Sequence, residues 1–257
     1  MIGELSLKSN PNIPFGLLQL TDKQPSIIIS RAQYVLSWNQ KTRSVNWAAW
    51  VLDKNDFGDV GRRETFSVDK ELQEALTETG LAALSAADYT GSCFDRGHMV
   101  PSADRTDTVE NNEATFLMSN IIPQTAFLNR IVWEPLESEA RSLIRKKKHE
   151  QLWSVAGPIY KKTLRYTGKQ KNIAVPDFTF KAIFTWDKNG GELKPEMLKA
   201  VIMPNVTSLG TDPIEDRETL CNEVSGRASP DGPSRESSAY SVDLQEIERE
   251  AAISFPQ

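Results

Sequence analysis

A quartet, Asp95-Arg96-Gly97-His98, is followed along the chain by Asn129, with Glu137 eight residues on and Arg141 four beyond that. These types supply a general base, a hard-metal ligand and guanidinium groups for phosphate, the parts needed to hydrolyse a phosphodiester. The chain has two histidines, and the other, His149, lies in a Lys-rich stretch, so His98 has almost no competitor as the base. An imidazole with an ordinary pKa of about 6.5 accepts a proton from water near neutral pH. Gly97 is expected to let the backbone turn tightly, and Arg96 to meet a phosphate bidentately. Taken alone, the quartet is also readable as a loop in which Asp95 and Arg96 pair and His98 is merely exposed.

The second group weighs against that plain reading. On a helix, Asn129, Glu137 and Arg141 fall along one gradually drifting flank, with Trp133 between them. An Asn carbonyl oxygen suits Mg²⁺, which keeps most of its water shell. Glu137 is then placed to hold those waters, and Arg141 to bind phosphate or orient Glu137. The alternative is an amphipathic helix with an ordinary Glu137–Arg141 pair, worth a few tenths of a kcal/mol. Pro135 interrupts this helix; a proline in mid-helix removes a hydrogen bond and costs about 3 kcal/mol, so a kink or a fresh start is expected there.

Around these groups, residues 32–38 and 45–52 are aromatic and aliphatic runs separated by a polar stretch, predicting paired strands of a central sheet with their tryptophans in the core. Residues 108–119 and 127–149 read as helical, and 152–156, 178–186 and 197–203 as strands. A last helix is expected after Ser241, with Ser241 as its cap and Asp243 in its first turn. Residues 205–238, rich in Gly, Pro, Ser and acids, read as a surface excursion. The expected class is α+β, a central antiparallel sheet flanked by helices, in one domain over 1–257.

Of the 257 residues 39% are hydrophobic and 25% charged, the composition of a soluble globular protein with a sizeable core. No apolar run approaches the roughly 20 residues needed to span a bilayer, so no membrane partner is expected. A net charge of −5 argues at first against a nucleic-acid partner. Its distribution weakens that objection: residues 141–171 hold ten Lys or Arg and one acid, whereas 211–250 hold eleven acids and four Arg. The basic middle reads either as a solvated helix end and loop or as a phosphate-steering surface. Cys93 and Cys221 fit no metal spacing; they form either one disulfide or two buried thiols.

The segments Phe94 to Arg105, Thr115 to Gln124 and Asn129 to Glu137 resemble the DNA/RNA non-specific endonucleases, the ββα-metal or His-Me finger group that includes mitochondrial endonuclease G. The resemblance runs from about Gln33 to the Tyr240-Ser241-Val242-Asp243 segment. It implies a ββα-metal finger active site and an enzyme with a single Mg²⁺, or Mn²⁺ in its place, that cuts DNA and RNA, single- or double-stranded, to 5′-phosphate and 3′-hydroxyl ends. Carried over by position, His98 matches the general base, Asn129 the metal ligand, Glu137 the acid supporting the metal's waters, Arg96 and Arg141 arginines at or near the phosphate, and Asn120 a supporting residue close to the base.

Ser67 stands where an upstream phosphate-binding arginine is expected, leaving Arg62 or Arg63 as substitutes. Since a free nuclease endangers its host, a secreted or periplasmic protein with its signal peptide removed is expected, and export would favour the disulfide. A dedicated protein inhibitor is compatible with this reading. The competing class is a catalytically silent nucleic-acid-binding or protein-interaction module on the same fold, which loss of His98 or Asn129 would have favoured.

Overall fold

The computed structural model describes residues 2–3, 5–161, 163–186, 194–223 and 229–256. Its strands in chain order are β1 (Gln19–Leu20), β2 (Ile27–Ser30), β3 (Val35–Asn39), β4 (Ser44–Asp53), β5 (Asp95–His98) and β6 (Ile121–Gln124). They continue with β7 (Gln151–Ile159), β8 (Tyr166–Thr167), β9 (Ile173–Ala174), β10 (Phe178–Thr185), β11 (Glu196–Pro204) and β12 (Ile253–Ser254). The α-helices are α1 (Lys70–Ala75), α2 (Val109–Thr115), α3 (Glu134–Arg145), α4 (Arg217–Asn222) and α5 (Leu244–Ala251).

Six strands form one sheet in the order β11-β10-β7-β4-β3-β2, and every neighbouring pair is antiparallel. The α+β reading therefore holds. Both faces are covered, which explains why the central strands read as near-continuous apolar runs. Along β4, Ala48, Trp50 and Leu52 face one way, where Val132, Trp133, Leu136, Ala140 and Ile144 pack on them. Trp47 and Ala49 face the other way and join Trp153, Phe180 and Phe184 with Ile247 of α5 and Phe255. The predicted hairpin tryptophans, Trp38, Trp47 and Trp50, are all buried, as core packing requires.

The active-site candidates come from a smaller unit beside this sheet. Strands β5 and β6 pair antiparallel, His98 opposite Ile121, and the chain then winds into the long helix over residues 127–145. Of the kink or fresh start expected at Pro135, the structure shows the fresh start, as a change of winding. Residues Phe127–Trp133 form a π-helix in which the Glu134 N–H reaches the Asn129 carbonyl, five residues back. Then α3 starts at Glu134 with Pro135 in its first turn, where a missing N–H leaves no bond unmade.

Two other expectations change. The last helix is capped not by Ser241 but by Asp243, whose carboxylate accepts the Glu246 N–H at 2.7 Å. Residues 205–238 are more than an excursion where they are described. Asn205 is buried, accepts the Thr125 N–H and donates to the Pro123 and Pro176 carbonyls, and Leu220 of α4 is buried against Phe94 and Val175. Residues 224–228 of that stretch lie outside the described residues. Cys93 and Cys221 are joined as a disulfide, anchoring α4 beside β5. Among the described residues no helix is long and apolar enough to cross a membrane.

Candidate active site

His98 ends β5 with its side chain almost fully buried between Phe116, whose ring centre is 4.8 Å away, and Phe66 at 5.4 Å. The strand before it is pinned by contact rather than by a turn. A Cβ on Gly97 would come within 2.1 Å of the Gln124 side chain on β6, so glycine is required for close approach, and the expected tight turn is not there. The chain after His98 is pinned by Asn120. Its side-chain oxygen accepts the Val100 N–H, and its amide donates to the Val100 and Thr115 carbonyls. With its capacity spent on backbone and no exposure, Asn120 does not reach the pocket. Its part is to hold the segment that carries the base.

A pocket of about 580 Å³ gathers the remaining candidates: Arg96, His98, Asn129, Glu137 and Arg141 all line it. Burial, reinforced by the positive charges of Arg62 and Arg96, lowers the His98 pKa to about 3. The imidazole is neutral at pH 7, and its Nε2 has no protein hydrogen-bond partner. Asn129 Nδ2 donates to Asp95 Oδ2 at 2.9 Å. A carboxylate only accepts, so Asp95 fixes which end of the amide faces it and frees the carbonyl oxygen for a cation. Arg130 in turn grips Asp95 through both oxygens, at 2.7 and 2.6 Å.

Glu137 and Arg141 sit one turn apart on α3, yet their contact is loose, 4.0 Å from Nη1 to Oε2. Arg141 is committed elsewhere, to Asp104 at 3.2 Å, Glu134 at 3.3 Å and the Ser138 hydroxyl at 3.0 Å. Burial raises the Glu137 pKa, and the nearby Lys181 ammonium opposes that rise. The donor set tests the expected metal. Among the described residues no group of three or more His, Cys, Asp or Glu could hold an ion. One oriented amide oxygen with a carboxylate in the same open pocket fits a hard cation that keeps its own waters, and it does not fit zinc, which takes three or four protein ligands.

Two residues, Asp104 and Lys181, were missed in the sequence, and the choice between Arg62 and Arg63 was left open. Arg62 lines the pocket and stands 5.4 Å over Phe116, while Arg63 turns away to Glu113, so Arg62 is the one placed in the pocket. Asp104 is buried and accepts from both Trp50 and Arg141. Lys181 is buried on β10 and reaches Glu137 at 3.4 Å. The signal for Lys181 was a lysine inside the apolar run Phe178-Thr-Phe-Lys-Ala-Ile-Phe. The basic middle contributes little here beyond Arg141. Its Arg165 pairs with Asp212 and Asp177, and Lys161 with Glu250, so part of the charge polarity cancels on folding.

The profile of the DNA/RNA non-specific endonuclease family matches residues 16–256. A nuclease of Nostoc sp. is 37% identical over 189 residues, 72% of this chain and 65% of the relative. Mitochondrial endonuclease G of Bos taurus is 29% identical over 197 residues, 72% of this chain and 62% of the relative. A nuclease of Serratia marcescens is 32% identical over 169 residues, 64% of this chain and 60% of the relative. The chain thus spans slightly under two thirds of these curated relatives. A solved structure described as the EndoG/EndoGI complex shares the fold at a TM-score of 0.69 and 22% identity, over 95% of this chain and 89% of the other. With the profile matched over nearly its whole length, the chain belongs to the DNA/RNA non-specific endonuclease family.

Proposed function

We propose that this protein is a Mg²⁺-dependent, sugar-non-specific endonuclease, Mn²⁺ being able to substitute, that hydrolyses phosphodiester bonds of single- or double-stranded DNA and RNA to 5′-phosphate and 3′-hydroxyl ends. The observation that carries this reading is the convergence in one open pocket of a neutral buried imidazole, an oriented amide, a buried carboxylate and the guanidinium groups of Arg62, Arg96, Arg130 and Arg141. When bound, the cation supplies Lewis-acid stabilisation of charge at the phosphate and leaving oxygen. Asn129 would hold it through its carbonyl oxygen, and Glu137 would order the water around it.

His98 takes the proton from the attacking water, and its low pKa keeps it in the accepting form well into acid. Arg62 and Arg96 flank the Phe66–Phe116 wall beside His98 and meet the phosphate oxygens. Arg141, already engaged by Asp104 and Glu134, acts mainly on the carboxylates. Contacts to phosphate position a nucleic acid without reading its sequence. The exposed Cys93–Cys221 disulfide supports an oxidising, secreted or periplasmic setting. The fold neighbour was solved in a complex described as an inhibition mechanism, which supports an inhibitor protein as a partner.

A plasmid-nicking assay tests the proposal. Supercoiled DNA and a structured RNA should both be cut with Mg²⁺ and spared in EDTA. Full activity in excess chelator, or none with either substrate, overturns it.

A further inference from the structure

Lys181 has no part in the mechanism above, yet its setting is unusual for an ammonium group. It lies in the middle of β10, opposite Ala156 of β7 and Val201 of β11, with Phe180 and Ala182 pointing to the other face. Its side chain is 2% exposed. The ammonium sits 4.5 Å from the Trp133 ring centre and 5.2 Å from that of Trp50, so two indole faces flank it. Its oxygen partner is Glu137 Oε1, at 3.4 Å. Trp50 also donates to Asp104, which accepts from Arg141, tying the same box to the turn that follows His98.

A buried ion pair seldom outperforms apolar residues of the same shape in stability. A methionine would fill this slot between two tryptophans at least as well. The charge is therefore explained by what it does to Glu137, a carboxylate that faces the pocket on one side and the sheet on the other. We infer that Lys181 is a positioning residue for the reaction: its ammonium, held between Trp50 and Trp133, fixes the Glu137 carboxylate from beneath the pocket floor so that it can order the cation's water. This rests on the nuclease reading above. It adds that the site extends through the helix into the sheet.

The test is a double-mutant cycle of Lys181→Met and Glu137→Gln on the full chain, read by steady-state plasmid cleavage and by Mn²⁺ binding without substrate, followed through water-proton relaxation. Lys181→Met should lower kcat by about 10- to 100-fold, the usual cost of removing a group that orients a metal site, with KM for DNA within about 2-fold. It should weaken Mn²⁺ binding by about 10-fold. In the Glu137→Gln background the same change should cost less than about 2-fold, because its target is already gone.

Equal losses in both backgrounds, or full kcat and unchanged Mn²⁺ binding in Lys181→Met, overturn the inference. If Lys181→Met does not fold, the double variant, which leaves no unpaired charge, is compared with Glu137→Gln alone: equal rates support the inference and a further loss overturns it. A wild type that does not cleave sinks the nuclease reading instead, and the Mn²⁺ arm still judges Lys181.

Discussion

The two faces of the six-stranded sheet are built on opposite terms. The face under α5 holds Trp47, Trp153, Phe180 and Phe184 with Ile247 and Phe255, an apolar layer whose aromatic rings meet edge to face or tilted. The face under the long helix is as well buried, but Lys181, Asp104, Arg141 and Glu137 run through it. Polar groups in such a place are costly unless each finds a partner. Here the partners are one another, and the network lies directly behind the pocket. One face supplies stability, and the other gives up part of it to hold chemistry in place.

That contrast is open to tests, beginning with the largest effect. Trp153→Ala on the apolar face should cost about 3–5 kcal/mol of stability, measured by urea unfolding, while the folded fraction keeps its cleavage rate. A lost rate at unchanged stability would erase the distinction between the faces. On the other side, His98→Ala should lower turnover by at least about 100-fold, near 2.7 kcal/mol of barrier, with Tm little changed. Wild-type cleavage of plasmid by the purified variant would remove His98 as the base.

Acid should also treat the two faces differently. The His98 pKa is about 3 when folded against an ordinary value near 6.5, so the unfolded chain binds the proton first. The stability linked to His98 is present above pH 6.5 and is lost as pH falls toward 3, amounting to about 2 kcal/mol between pH 7 and pH 5. The raised pKa of Glu137 works in the opposite direction, so the clean measure is wild type minus His98→Ala, both in EDTA. A difference that does not vary with pH would mean the folded imidazole takes up its proton as readily as the unfolded one. Smallest is Asp95→Asn, which no longer dictates the orientation of the Asn129 amide. About 10-fold weaker Mg²⁺ activation is expected in a titration of cleavage rate, and unchanged activation would free Asn129 from Asp95.

The site was legible where chemistry is local. The quartet ending in His98 and the spacing of Asn129, Glu137 and Arg141 declare themselves by residue type, and the pocket collects all of them but Gly97. Pairing of the two aromatic runs followed from period and turn alone. What stayed hidden depended on how the long helix packs against distant parts of the chain. Lys181 meets Glu137 across 44 positions, and Asp104 meets Arg141 across 37. Asn120 shows that residue type does not reveal burial: its side chain lies inside and satisfies backbone groups of the segment that carries His98. Gly97 suits a tight turn by type alone because a missing Cβ serves both turning and close approach, and only the position of Gln124 tells them apart. At Pro135 the missing fact was the π-wound turn before it.

The Cys93–Cys221 bond joins positions 128 apart, and β5, β6, the long helix and strands β7, β10 and β11 all fall between them. Topologically Arg96, His98, Asn129, Glu137 and Arg141 all lie on one covalent ring, with Arg62, the N-terminal strands and α5 on tails outside it. A protease that cuts once inside a ring opens it without freeing a piece, and release requires a second cut. In surroundings rich in proteases, a single nick inside the ring would leave those five residues tethered to the rest of the chain, and the nicked chain would run as one species on a non-reducing gel and as two after reduction.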